Sequence, residues 1–143
     1  TRYPLVTGVQ TCALPICGHM AWHGATLPEV TATLAFYGAR VAGFRPGGGE
    51  PTVAVAADIP GRFWSVVGCD DPLMPEEERR AIRGALDAAD PTGQRHRAVE
   101  LPGAGHGFLC DQRDDHRPAA AAAGWALLHD LLRLVAPPPA GEP

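Results

Sequence analysis

Two short segments of this 143-residue chain hold ionisable side chains in settings suited to acid–base chemistry. The first is Gly68-Cys69-Asp70-Asp71-Pro72-Leu73-Met74-Pro75, where two adjacent carboxylates follow an apolar run. The second is Pro102-Gly103-Ala104-Gly105-His106-Gly107-Phe108, where one imidazole stands between two glycines. Small flanking residues let a substrate or a partner side chain come close to the ring. A carboxylate that reaches a histidine orients the ring and stabilises its cationic form, as a nucleophile–His–acid triad requires. Both residues also have ordinary explanations, because an Asp after a strand commonly forms a turn or a cap and a loop His is commonly solvated. From the residues alone, both readings stay open.

The elements around these loops decide whether they can meet. A short helical stretch runs through Met20, Ala21 and Trp22 to about Ala25, followed by the β-branched and aromatic run Thr31–Tyr37, a buried strand stopped by Gly38. The glycines of Arg45–Pro51 follow no strand and open no helix, so they do not read as a phosphate cradle. A second strand is expected near Phe63–Val67, closed by Gly68. Pro75 then opens a helix with Glu76, Glu77 and Glu78 in its first turn and Ile82, Leu86 and Ala89 on its apolar face. A third strand is expected near Arg97–Leu101, and a last helix over Pro118–Val135 with Trp125, Leu128, Leu131, Leu132 and Val135 on one side. The alternation of helices and strands predicts an α/β fold with a parallel sheet. In such sheets the working residues lie on loops beyond the carboxyl ends of strands, where both segments fall.

Composition narrows the class further. Apolar residues make up 45%, charged residues 20%, and the formal net charge is −4 with no basic stripe, which argues against nucleic acid or an anionic membrane as partner. No apolar run approaches the ~18 residues of a membrane span. All twelve cationic side chains are Arg, a bias expected of GC-rich codons.

The start of the chain does not fit this pattern. Val6–Ile16 has no hydrophobic period and lacks the basic and apolar regions of a signal peptide. Its eleven residues are the translation, in one frame, of a widely used short-read sequencing adapter. Residues 1–16 are therefore expected to be a non-native leader, 17–136 the folded part, and 137–143 a Pro-rich tail. The adapter ends one base into the codon of Cys17, which makes that residue a chimera whose native counterpart is Gly, Arg, Ser or Cys. Cys12, Cys17, His19 and His23 do not have the spacing of a zinc finger, and no metal is expected. The remaining thiols, Cys69 and Cys110, suit a reducing cytoplasm.

Four pieces together resemble the dienelactone hydrolase family: Leu34-Ala35-Phe36-Tyr37-Gly38, the Gly-x-x-Asp-x-x-x-Pro of Gly68 to Pro75, Pro102–Phe108, and the closing helix from Arg117-Pro118-Ala119-Ala120 to Trp125. The resemblance covers nearly everything from Gly18 to about Val135. It implies an α/β-hydrolase fold and hydrolysis of small-molecule esters or lactones, of the carboxymethylenebutenolidase type. The family works through a Cys or Ser–Asp–His triad with no metal or organic cofactor. It implies Asp71 as the acid, with Asp70 a neighbour capping the next helix, and His106 as the general base. It puts Tyr37 and Phe108 beside the substrate pocket, although core packing explains them equally well. Cys69 and Cys110 match no catalytic position and read as buried or incidental thiols. Arg113 and Arg117 could grip a substrate carboxylate, but a polar surface loop explains them too.

The nucleophile is where the match fails. The family's elbow, Gly-x-Cys-x-Gly-Gly, aligns its last glycine with Gly18 and its nucleophile with Pro15, inside the adapter-like segment. Cys17 stands two places too late, and a rival alignment makes it the nucleophile itself. The chain as written is thus expected to be an inactive C-terminal part of a hydrolase domain, its innermost strand left with an open edge. The alternatives are another α/β-hydrolase, such as a peptidase or thioesterase, and a non-catalytic binding module of the same fold.

Overall fold

A computed structural model of the chain describes residues 9–10 and 15–135, with side chains from Gly18 onward. The tail 137–143 and most of the leader fall outside the described residues. Among the described residues eight elements follow one another: β1 (Val9–Gln10), α1 (Pro15–Ala25), β2 (Ala32–Phe36), a 3-10 helix (Thr52–Asp58), β3 (Arg62–Gly68), α2 (Glu76–Ala89), β4 (His96–Leu101) and α3 (Pro118–Val135). The strands form one parallel sheet in the order β1-β2-β3-β4. This is the expected α/β architecture, a parallel sheet with flanking helices.

Parallel strands covered on both faces must be apolar on both, and the strands obey this. All five residues of β2 and six of the seven in β3 are buried. Along β3, Phe63 and Val67 enter the core beneath α1 and α2, with Trp22, Met74, Ile82 and Leu86. Trp64 and Val66 enter the opposite core, beneath α3, with Leu34, Phe36, Phe108 and Leu131. The guanidinium of Arg97 closes over Trp64, 4.6 Å from the ring centre.

Two expectations are corrected. An open edge was expected on β2, but Val9 and Gln10 pair with Leu34 and Ala35 across it. With no hydrophobic period, Val6–Ile16 gives no strand signal of its own, and the pairing rests on backbone groups that any residue supplies. Trp125 was expected on the inner side of α3 and is instead 44% exposed. The cause is Gly124, where an added Cβ would lie 3.1 Å from Leu109 and 3.2 Å from Phe36. The helix presses onto the sheet through Ala120, Ala121, Gly124 and Leu131, which turns Trp125 outward.

The passage from α2 into β4 is tied by one carboxylate. Asp90 accepts hydrogen bonds from the Thr92 hydroxyl at 2.6 Å and from the backbone N–H groups of Arg95 and His96 at 2.6 and 3.0 Å. The Thr92 bond first, then those of His96 and Arg95, hold its carboxyl well below the usual range. With the helix end fixed in this way, β4 enters the sheet in register with β3, and its far end delivers the His106 loop beside the Asp71 loop.

Candidate active site

The two chemistry-bearing loops leave the carboxyl ends of neighbouring strands, β3 and β4, and are stitched together there. Cys69 N–H donates to Leu101 O and Asp70 N–H to Ala104 O, at 3.0 and 2.9 Å. The approach is so close that a Cβ on Gly68 would lie 2.1 Å from the carbonyl oxygen of Ala104. The glycine closing β3 is therefore a condition for the loops to meet.

What they bring together is Asp71 and His106. The ring Nδ1 lies 2.7 Å from Asp71 Oδ2, and the Asp71 side chain has no exposed surface. The other carboxylate oxygen, Oδ1, accepts from Leu73 N–H at 2.8 Å, and Met74 N–H bonds back to the Asp71 carbonyl at 3.0 Å. A buried carboxylate with both oxygens engaged is held in one orientation. An acceptor at Nδ1 places the proton of the neutral ring on that nitrogen and leaves Nε2 its lone pair. Nε2 is buried and has no hydrogen-bond partner among the described residues. The pair can thus hold an imidazole ready to take a proton at Nε2 and stabilise the cation that results.

One aromatic ring lies against the histidine and a second packs behind it. The Tyr37 and Phe108 ring centres are 5.0 Å apart, and Tyr37 stands 5.3 Å from the His106 ring. Tyr37 takes a left-handed backbone conformation, φ +60°, rare for a residue with a side chain. Leu109 N–H donates to its hydroxyl at 2.8 Å, and burial pushes the phenol up to about 12. Both aromatics are almost fully buried: Tyr37 meets the imidazole, and both rings pack against Phe36 in the core beneath α3.

The other expected residues are less central. Asp70 is exposed and does not cap α2, whose N-cap is Pro75 with no side-chain cap bond. The proline before the helix leaves the carboxylate too early in the chain to reach its first N–H groups. Cys69 is half-buried and Cys110 exposed, which of the two readings, buried or incidental, leaves the incidental one. Arg113 lies along Gly107, where an added Cβ would come 2.9 Å from its Nε, and it pairs with Asp115 at 3.2 Å. Arg117 donates to the carbonyls of Asp114 and His116. Pro15 opens α1 after β1, at a strand-to-helix passage. Cys17 is in the first turn of α1, and its side chain lies outside the described residues.

Sequence reasoning misses Arg79, which holds the acid loop from α2. It weighs His19 only as a metal ligand and gives no sign of its buried contact, in which Nδ1 lies 2.6 Å from Thr52 Oγ1. Burial first, then the charges of His23 and Arg40, lower the His19 pKa. Folding therefore opposes proton uptake at this ring. The stability that depends on this ring is full at neutral pH and above, falls as pH drops through about 6.5, and levels off below the lowered folded value. Urea unfolding at pH 7.5 and 5.5 is expected to show a lower midpoint at the acid pH, with a smaller difference in His19→Gln. An equal difference in the two proteins would remove His19 from this account.

Comparison with known proteins gives a consistent result. A sequence model described as the dienelactone hydrolase family matches residues 10–135. A protein of Synechocystis, provisionally named carboxymethylenebutenolidase, is 34% identical over 116 residues, which is 81% of this chain and 46% of that protein. One from Escherichia coli with the same name is 28% identical over 109 residues, 76% of this chain and 39% of its own length. The chain therefore spans less than half the length of these relatives. A solved structure from Klebsiella pneumoniae, provisionally described as a dienelactone hydrolase, superposes with a TM-score of 0.72 at 26% identity, covering 81% of this chain and 48% of that one. An esterase of Thermogutta terrifontis shares the fold, with a TM-score of 0.59 at 22% identity over 87% of this chain and 54% of that one.

Proposed function

The chain belongs to the dienelactone hydrolase family, and on that premise we propose that Asp71 and His106 are the acid and base of an ester- or lactone-hydrolysing triad. The observation that carries the reading is the 2.7 Å contact of His106 Nδ1 with a fully buried Asp71 carboxylate, beside an unpartnered Nε2. In the proposed reaction, Nε2 removes the proton of a cysteine or serine nucleophile as it attacks the ester carbonyl. The imidazolium, stabilised by Asp71, then protonates the leaving alcohol or the ring oxygen of a lactone. Water, deprotonated by the same Nε2, releases the acid and regenerates the nucleophile. No metal or organic cofactor takes part in this scheme. The substrate class is a small-molecule ester or lactone, and the names of the relatives support it.

The nucleophile belongs at position 15, at the strand-to-helix passage between β1 and α1. Our reading of Val6–Ile16 as translated adapter makes Pro15 a replacement for it, although the family match opens at residue 10, inside that segment. The reading predicts that the chain as written hydrolyses p-nitrophenyl esters no faster than buffer. It predicts also that the source locus, sequenced across the codons for Ile16 to Gly18, encodes a Gly-x-Cys-x-Gly-Gly elbow in place of the adapter, whereas a Gly-x-Ser-x-Gly elbow there favours another α/β-hydrolase, such as a peptidase or thioesterase. A genome that truly encodes Val6–Ile16 would overturn it. Cys17 would then be the nucleophile to test by alkylation. We place the protein in the cytoplasm, a reading supported by the two free thiols Cys69 and Cys110. Among the described residues, no helix is long and apolar enough to cross a membrane.

A further inference from the structure

We propose that Arg79 is a positioning residue for the acid–base pair, a clamp that closes the acid loop and ties it to the strand leading to His106. The inference rests on the reading of Asp71 and His106 given above.

The loop from Cys69 to Met74 carries Asp71 and has little apolar contact of its own before Met74. Its carbonyls at both ends converge on one guanidinium: Arg79 Nη1 donates to Cys69 O at 3.2 Å and to Met74 O at 2.6 Å. The same side chain donates through Nε to Glu100 on β4 at 2.8 Å and through Nη2 to Glu76 at 2.6 Å. Its exposure is only 12%, so its donors are satisfied by protein. Glu100 directly precedes Leu101, whose carbonyl receives Cys69 N–H. One planar fork thus joins the two ends of the acid loop to the end of β4, from which the chain runs to His106.

The geometry separates this role from ordinary surface pairing. Exposed ion pairs contribute little to stability. Arg83 shares both carboxylates with Arg79, pairing with Glu76 at 2.8 Å and with Glu100, but it has no bond to a loop carbonyl. Loss of Arg83 removes charge pairing alone, whereas loss of Arg79 frees the loop as well. Lysine cannot replace the fork, because its single ammonium cannot span two carbonyls and two carboxylates at these separations.

The test uses the 143-residue chain itself and needs no activity. In 15N-labelled protein, the His106 Nδ1–H proton, held against Asp71, is expected as a resolved low-field resonance protected from exchange with water. Asp71→Asn is expected to abolish or displace it. Arg83→Ala should leave its position and exchange unchanged. Arg79→Met should make its exchange at least about tenfold faster, and Arg79→Lys should fall between, with the far-UV circular dichroism of both unchanged. Should Arg79→Met fail to fold, Arg79→Lys decides alone. Wild-type exchange in the folded Arg79 variants overturns the proposal, and so does equal acceleration by Arg83→Ala. A resonance untouched by Asp71→Asn would instead overturn the acid–base reading beneath it, so the two failures are distinguishable.

Discussion

Asp71→Asn, placed in a form of the domain that carries its nucleophile, is expected to lower kcat about ten-thousand-fold with KM nearly unchanged. The size of the effect follows from hydrogen-bond polarity. Leu73 N–H donates to Oδ1, so an asparagine here keeps its carbonyl on that side and turns its amide NH2 toward His106. A donor facing Nδ1 forces the neutral ring to carry its proton on Nε2. The nitrogen proposed to accept the nucleophile's proton is then already occupied, although the side chain keeps its shape and its buried place. Substrate binding does not depend on this proton, so the loss appears in kcat. Steady-state hydrolysis of a chromogenic ester measures it directly, and a loss of less than tenfold would show that Asp71 is not the acid of the site. His106→Ala is expected to cost at least as much, because it removes the proposed base itself.

The Asp71–His106 pair is legible in the amino-acid sequence and Arg79 is not, because the two leave different kinds of signal. A β-branched run closed by glycine and followed by Asp, and a second strand followed by Gly-His-Gly, are local patterns. The rule that parallel strands present their loops at the carboxyl edge then brings both loops to one place. The choice of Asp71 over Asp70 is not local. It comes from the family resemblance, and its physical reason is that Asp70 is exposed while Asp71 turns inward to meet the ring. Arg79 bonds to carbonyl groups, which every residue possesses, so no residue type in the acid loop marks its target. Helical periodicity misplaces Trp125 because it ranks side chains by hydrophobicity. The sheet instead selects the smallest residues of α3, with Gly124 at the contact. The left-handed Tyr37 is likewise fixed by long-range bonds, from its own N–H to Val66 O at 3.1 Å and from Leu109 to its hydroxyl.

Gly68→Ala is the substitution expected to damage fold and site together. A methyl group there would stand 2.1 Å from the Ala104 oxygen and 2.6 Å from its carbonyl carbon, both backbone atoms that no rotamer change can move aside. The Ala104–Gly105 peptide must retreat, which breaks the bond from Asp70 N–H to Ala104 O and draws His106 away from Asp71. Forced overpacking of this kind costs about 3 kcal/mol. For a chain of this length that corresponds to a fall in Tm on the order of 10 °C. In the nucleophile-bearing form, a displacement of about 1 Å at the base costs a further hundredfold in rate. Gly84, in the middle of α2, supplies the contrast, since an added Cβ there meets nothing within 4 Å. Gly84→Ala is expected to raise stability by about 0.5–1 kcal/mol through helix propensity alone. Thermal unfolding of the two variants beside the parent chain decides the matter. Opposite signs support the close approach of the two loops as the feature that assembles the site, whereas a Gly68→Ala protein as stable as its parent would mean that the loops can part without cost and that their separation is set elsewhere.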